Sequence, residues 1–167
     1  MKLKSLGLIL VCLLFMVFGC SKNEKDKSKL ALPEDIPNFV EESDFEQVNW
    51  NKKAVMFNGN IIGNENKSGV IGADMPSLNT NQKWMWHLWG IESLGRTKLT
   101  VVGLHRETNS INQVLTTGWT IDDLGGGNNG ADAHVPSSVN IPKPGEWAIL
   151  LYTDEELFDI LVFEITE

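Results

Sequence analysis

Cysteine is nearly absent. The 167 residues hold two, Cys12 and Cys20, both near the amino terminus. Beyond Cys20 there is no thiol for a disulfide, a thiolate nucleophile or a cysteine-ligated zinc. Positive charge is also scarce. The chain has 14 Lys and Arg against 22 Asp and Glu. From residue 30 onward the balance is 8 against 20, a net charge of −12. Nucleic acid, which demands clustered cations, is excluded as a partner, and so is electrostatic docking on anionic lipid. No internal repeat is visible. No stretch of helical periodicity exceeds about ten residues, which argues against a helical domain. Apolar residues still make up 42 % of the chain, enough for an ordinary core.

The amino terminus carries the clearest signal. Lys2 and Lys4 precede an uncharged apolar run over residues 6–19. That run has the length of a signal-peptide core and is short for a spanning helix of about 20 residues. It stops at Gly19-Cys20. Val17, Phe18, Gly19 and Cys20 resemble the lipobox of bacterial lipoproteins, with Phe18 where that class has a small residue. The resemblance implies cleavage before Cys20, loss of Cys12 with the leader, and diacyl lipid on the Cys20 side chain. Palmitate-type chains then anchor the protein at the extracytoplasmic face of the cell membrane, each buried methylene contributing about 0.8 kcal/mol. The rival is an uncleaved anchor helix. Residues 21–29 favour the lipoprotein reading, because they are polar, mixed in charge and suited to a flexible tether. Residues 20–45, with Pro33, Pro37 and many acids, are expected as tether and extended lead-in.

From residue 46 to 167 short apolar runs alternate with Gly, Asn and Pro. This predicts strands over 54–57, 60–63, 68–72, 83–89, 98–106, 113–119, 146–152 and 157–165. Such a set predicts an all-β domain, an immunoglobulin-like antiparallel β-sandwich. Pro142-Lys143-Pro144-Gly145-Glu146-Trp147 reads as the entry to the penultimate strand, and the last two strands as a terminal hairpin.

Two segments are more distinctive. They are Lys83-Trp84-Met85-Trp86-His87-Leu88-Trp89-Gly90 and Gly130-Ala131-Asp132-Ala133-His134-Val135-Pro136-Ser137-Ser138. With the Pro-Gly-x-Trp entry and the closing hairpin, they resemble a family of uncharacterised lipoproteins of Gram-positive spore-forming bacteria that carries a domain of unknown function. The resemblance covers about residues 45–167. It implies an extracytoplasmic immunoglobulin-like domain and brings no activity with it.

Alternation along 83–90 sets Trp84, Trp86 and Leu88 on one face and Met85, His87 and Trp89 on the other. One face must be core. The other is a candidate aromatic platform for a protein or a sugar, extended by what reads as a loop over 128–138, with Asp132 and His134. His87, His105 and His134 are the only histidines. Brought together they would suit zinc or copper, though nothing in their spacing requires them to meet. Asp132 and His134 are more simply expected to fix their loop by hydrogen bonds to backbone. The glycine loop at 122–132 lacks the Lys-Ser/Thr of a phosphate loop and the EF-hand spacing, and reads as a mobile surface loop rather than a calcium site. Ser137 and Ser138 follow His134 without a nucleophile-elbow motif, so a hydrolase is a remote alternative. The sequence therefore predicts a lipid-anchored binding module without enzymatic activity or cofactor. Its expected partner is another envelope protein or a cell-wall glycan, and a metal-binding envelope protein is the alternative.

Overall fold

The computed structural model describes residues 30–74 and 78–166; the leader, Cys20 and residues 21–29 lie outside the described residues. A short helix, α1 (Glu42–Glu46), precedes ten strands. They are β1 (Val55–Phe57), β2 (Ile61–Asn64), β3 (Ser68–Ile71), β4 (Gln82–Leu88), β5 (Leu99–His105), β6 (Ser110–Asn112), β7 (Thr120–Ile121), β8 (Ala133–Val139), β9 (Gly145–Thr153) and β10 (Glu156–Ile165). Two antiparallel sheets result, ordered β1-β2-β3-β4-β8 and β10-β9-β5-β6, with β7 also on β5. β4 pairs β8 in the first sheet, while the intervening β5 crosses to the second and pairs β9. This is the Greek-key connectivity of an immunoglobulin-like sandwich. The terminal hairpin β9–β10 is present as expected, with Trp147 on its first strand.

Between the sheets lies one core. β4 contributes Trp84, Trp86 and Leu88, β5 Leu99 and Val101, β9 Trp147, Ile149 and Leu151, and β10 Leu161, Phe163 and Ile165. Trp84 and Trp86 are buried and lie in tilted contact, centroids 5.5 Å apart. Trp86 donates its indole N–H to Ser137 Oγ at 2.8 Å. Trp84 Nε1 has no acceptor among the described residues.

Three sequence expectations are corrected here. First, residues 133–139 form a strand, not a loop. Ala133, Val135 and Val139 point inward at alternate positions, but Pro136 and two serines mask the pattern. Pro is tolerated because β8 is the edge of its sheet, where a missing N–H leaves no ladder bond unmade. Second, 113–119 is not a strand. Val114 and Leu115 are buried, yet the backbone turns at Gly118, whose φ is +125°. Third, the lead-in belongs to the folded unit. Val40 and Phe45 are buried against Val102, Leu104, Ala148, Leu150, Tyr152 and Val162, on the outer face of the second sheet. Asp35 accepts the Trp119 indole N–H at 3.2 Å, and Asp44 accepts the Tyr152 hydroxyl at 3.1 Å. Burial, then the Asp44 carboxylate, push the Tyr152 pKa above its usual value near 10.

Two stability predictions follow from these contacts. Phe45→Ala should cost about 3–4 kcal/mol, as for a packed core aromatic, and a urea titration that shows no loss would mean the lead-in is only loosely laid on the sheet. Trp86→Phe should cost about 1 kcal/mol more than Trp84→Phe, because only the former breaks a hydrogen bond; equal midpoints would refute the assignment of the Ser137 contact.

Candidate functional site on the outer face of the first sheet

β4 and β8 lie side by side, with Met85 opposite Pro136 and His87 opposite His134. Since Trp84 and Trp86 fill the core, Met85, His87 and Trp89 point outward. Gly63 and Gly69 continue the row across β2 and β3, in register with His87. Without a side chain, Gly69 leaves room for Ile61 and Phe57 to lie over it; a Cβ there would come within 2.4 Å of Ile61 Cγ2. Phe57 thereby reaches Trp89, centroids 5.6 Å apart. Trp89 lies 6.3 Å from His87, and His87 6.4 Å from His134 with ring planes 28° apart. Four rings thus run along the sheet.

The glycine segment closes one end of this row. Gly125 pairs with His134 by reciprocal backbone hydrogen bonds of 2.7 and 3.1 Å. A Cβ on Gly125 would meet His134 Cε1 at 2.7 Å, so only a glycine lets the backbone pass this close to the imidazole. The chain then reverses through Asn128–Ala131, with positive φ at Asn129 (50°) and Gly130 (83°). That is the Asn-Gly signature of a tight hairpin turn. The expected mobile surface loop is in fact an ordered hairpin laid over the two histidines.

The polar contacts are specific. His87 donates its Nδ1–H to Met85 O at 3.2 Å and accepts Asn129 Nδ2 at 3.0 Å. His134 donates Nδ1–H to Gly126 O at 2.6 Å. Asn128 Nδ2 points to Met85 Sδ at 3.9 Å. Asp132 accepts the Gly90 N–H at 2.6 Å, tying the hairpin to the end of β4. His87 is fully buried, and that burial, with a smaller effect of the His134 charge, lowers its pKa below the ordinary 6.5.

Several sequence-predicted residues separate. Trp84 and Trp86 belong to the core and offer no binding surface. Trp89 is half-buried on the outer face, as are Met85 and His134. His105 lies on β5 in the other sheet, with Nδ1 on Thr108 Oγ1 at 2.8 Å, Nε2 on Pro144 O at 2.9 Å, and the ring against Trp147. The three-histidine metal set is therefore not assembled, and no three His, Cys, Asp or Glu side chains cluster as metal ligands among the described residues. Ser137 faces the core beneath Trp86 and Ser138 accepts Lys83 Nζ at 2.8 Å, so neither touches His134. Asp122 pairs with Lys98 at 2.8 Å rather than turning into the glycine segment. Phe57 was read only as part of a strand, and Asn128 and Asn129 only as part of a surface loop, not as neighbours of the histidines; the Asn129-Gly130 turn signal was the one clue to a hairpin.

Because the native state holds His87 neutral, acid should weaken the fold. The unfolded chain takes up the proton first as pH falls below about 6.5, so stability present above that pH is lost on acidification. Urea midpoints should fall from pH 7.5 to 5, and His87→Gln should remove part of that dependence; an unchanged pH profile in the variant would contradict a buried neutral His87.

A solved structure described as "Putative Lipoprotein from Bacillus anthracis" superposes with a TM-score of 0.60 at 21 % identity, covering 78 % of this chain and 96 % of that one. At that identity the likeness speaks for the sandwich fold. No curated protein matches the chain. Residues 39–163 match a family model that spans the late lead-in and nearly all of the sandwich. The chain therefore belongs to the family described as Domain of unknown function (DUF4871).

Proposed function

We propose that the protein is a lipoprotein of the Gram-positive, spore-former type, anchored through Cys20, whose sandwich docks another envelope protein rather than catalysing a reaction. One observation carries the docking surface. Val55 and Met56 on β1 are 58 % and 61 % exposed, beside the Phe57–Trp89 contact. Among the described residues β1 itself pairs with one strand, β2, while Lys53 and Ala54 just before it bridge Val162 of β10. An exposed apolar edge strand is costly to leave wet and is a template for an added strand from a partner. The docking surface thus comprises β1 and Trp89, because the hairpin 125–134 closes the other end of the outer face. Support for the anchor comes from the lipobox-like residues 17–20 and from the lipoprotein description of the structural neighbour.

A photo-crosslinker at Met56 in intact cells should yield one defined heteromeric adduct, reproduced with the purified partner. Val55→Lys and, separately, Trp89→Ser should abolish it without lowering the melting temperature by more than a few degrees. Adducts that persist in both variants, or only with the chain itself, would refute the edge as the docking site. Cys20→Ala should move the protein from the membrane pellet to the supernatant; continued membrane association would refute the lipid anchor.

A glycan ligand has a separate candidate site. A cleft of about 580 Å³ where the β3–β4, β6–β7 and β8–β9 connections meet is lined by Asn81, Asn112, Gln113, Asn140 and Trp119, with the Asp35 carboxylate and no cation. Such a lining suits a neutral polyol. Soluble peptidoglycan fragments at a hundred times their dissociation constant would stabilise the fold by about 2.7 kcal/mol; no thermal shift would leave the protein partner as the sole reading.

A further inference from the structure

We propose that Met85, His87 and His134 form a copper(I) site beneath the glycine hairpin, through Met85 Sδ and the two Nε2 atoms. The three donors occupy neighbouring outward positions: Met85 and His87 two residues apart on β4, and His134 directly opposite His87 on β8. Both imidazoles are set in the same tautomer. A backbone carbonyl can only accept, so the contacts to Met85 O and Gly126 O place the proton on Nδ1 in each ring. Each Nε2 is left with its lone pair. A metal-ligating histidine commonly has this arrangement, one ring nitrogen donating to a carbonyl and the other free for the metal.

The hairpin supplies the second observation. Asn129 Nδ2 donates to His87 Nε2 at 3.0 Å and Asn128 Nδ2 points to Met85 Sδ at 3.9 Å. Two adjacent amides of one turn thus cover two would-be ligand atoms. The amides are the removable lids: an ion that shares the lone pairs displaces them, while the backbone bridge between Asn128 and Ala131 holds the turn. The rings stand 6.4 Å apart, centroid to centroid. A shared ion needs metal–nitrogen distances of about 2 Å, hence ring nitrogens about 3–4 Å apart.

The donor set selects the metal. A thioether is a soft ligand and favours copper(I), whereas calcium and magnesium require oxygen donors. Asp132, two residues before His134, is engaged by the Gly90 N–H. The neighbouring Trp89 ring and the hairpin backbone screen the ion from water.

The test uses the full-length chain in detergent, titrated against copper(I) held by the chromophoric chelator bathocuproine disulfonate. One equivalent should be withdrawn from the chelator. Met85→Leu and His134→Ala should each weaken binding at least tenfold, and His105→Gln should leave it unchanged. Met85→Leu conserves volume, so an unaltered melting temperature separates ligand loss from misfolding. Failure of the wild type to withdraw copper would overturn the proposal. So would a Met85→Leu variant that binds as tightly as wild type, or zinc binding in preference to copper(I) that does not depend on Met85.

Discussion

The second sheet has two apolar faces, and the architecture follows from the need to cover both. All seven residues of β5 are buried, and β9 is buried from Trp147 to Tyr152. Trp147, Ile149 and Leu151 face the first sheet, while Ala148, Leu150 and Tyr152 face away from it. An antiparallel sheet with one wet face would alternate polar and apolar residues; continuous apolar strands mean that something lies on each side. Here that cover is the lead-in, with Val40 and Phe45 as its buried contacts and Asp35 and Asp44 as its polar clamps. Phe39 adds a tilted contact with Tyr152, centroids 5.7 Å apart.

β5 and β9 were legible as strands because each is dominated by β-branched and aliphatic residues, although their pairing was not. Their double burial was equally written in those residues, but the cover was not. Residues 30–46 carry prolines and acids that resemble a solvated linker, and only spacing in three dimensions shows that Asp35 and Asp44 each answer a buried aromatic donor. β8 was hidden for another reason. Local propensity counts Pro136, Ser137 and Ser138 against a strand, whereas edge position removes the penalty for proline and the Trp86 indole engages the inward serine. Alternation correctly divided the Trp-rich strand into two faces. Which face was core depended on β8 and on the second sheet, neither of which local sequence can weigh.

The candidate site shows the same limit. Pairing of His87 with His134 follows from register between strands 47 residues apart in sequence, and no spacing rule relates them. Once paired, their chemistry is dictated by neighbours. Carbonyls fix both tautomers, and the one hairpin lies over both rings, with the Asn129 amide on His87 Nε2, so two histidines that look unrelated in sequence share one environment. His105 is the counterexample. It carries the same side chain, but its contacts with Thr108, Pro144 and Glu107 occupy both ring nitrogens at the end of the other sheet.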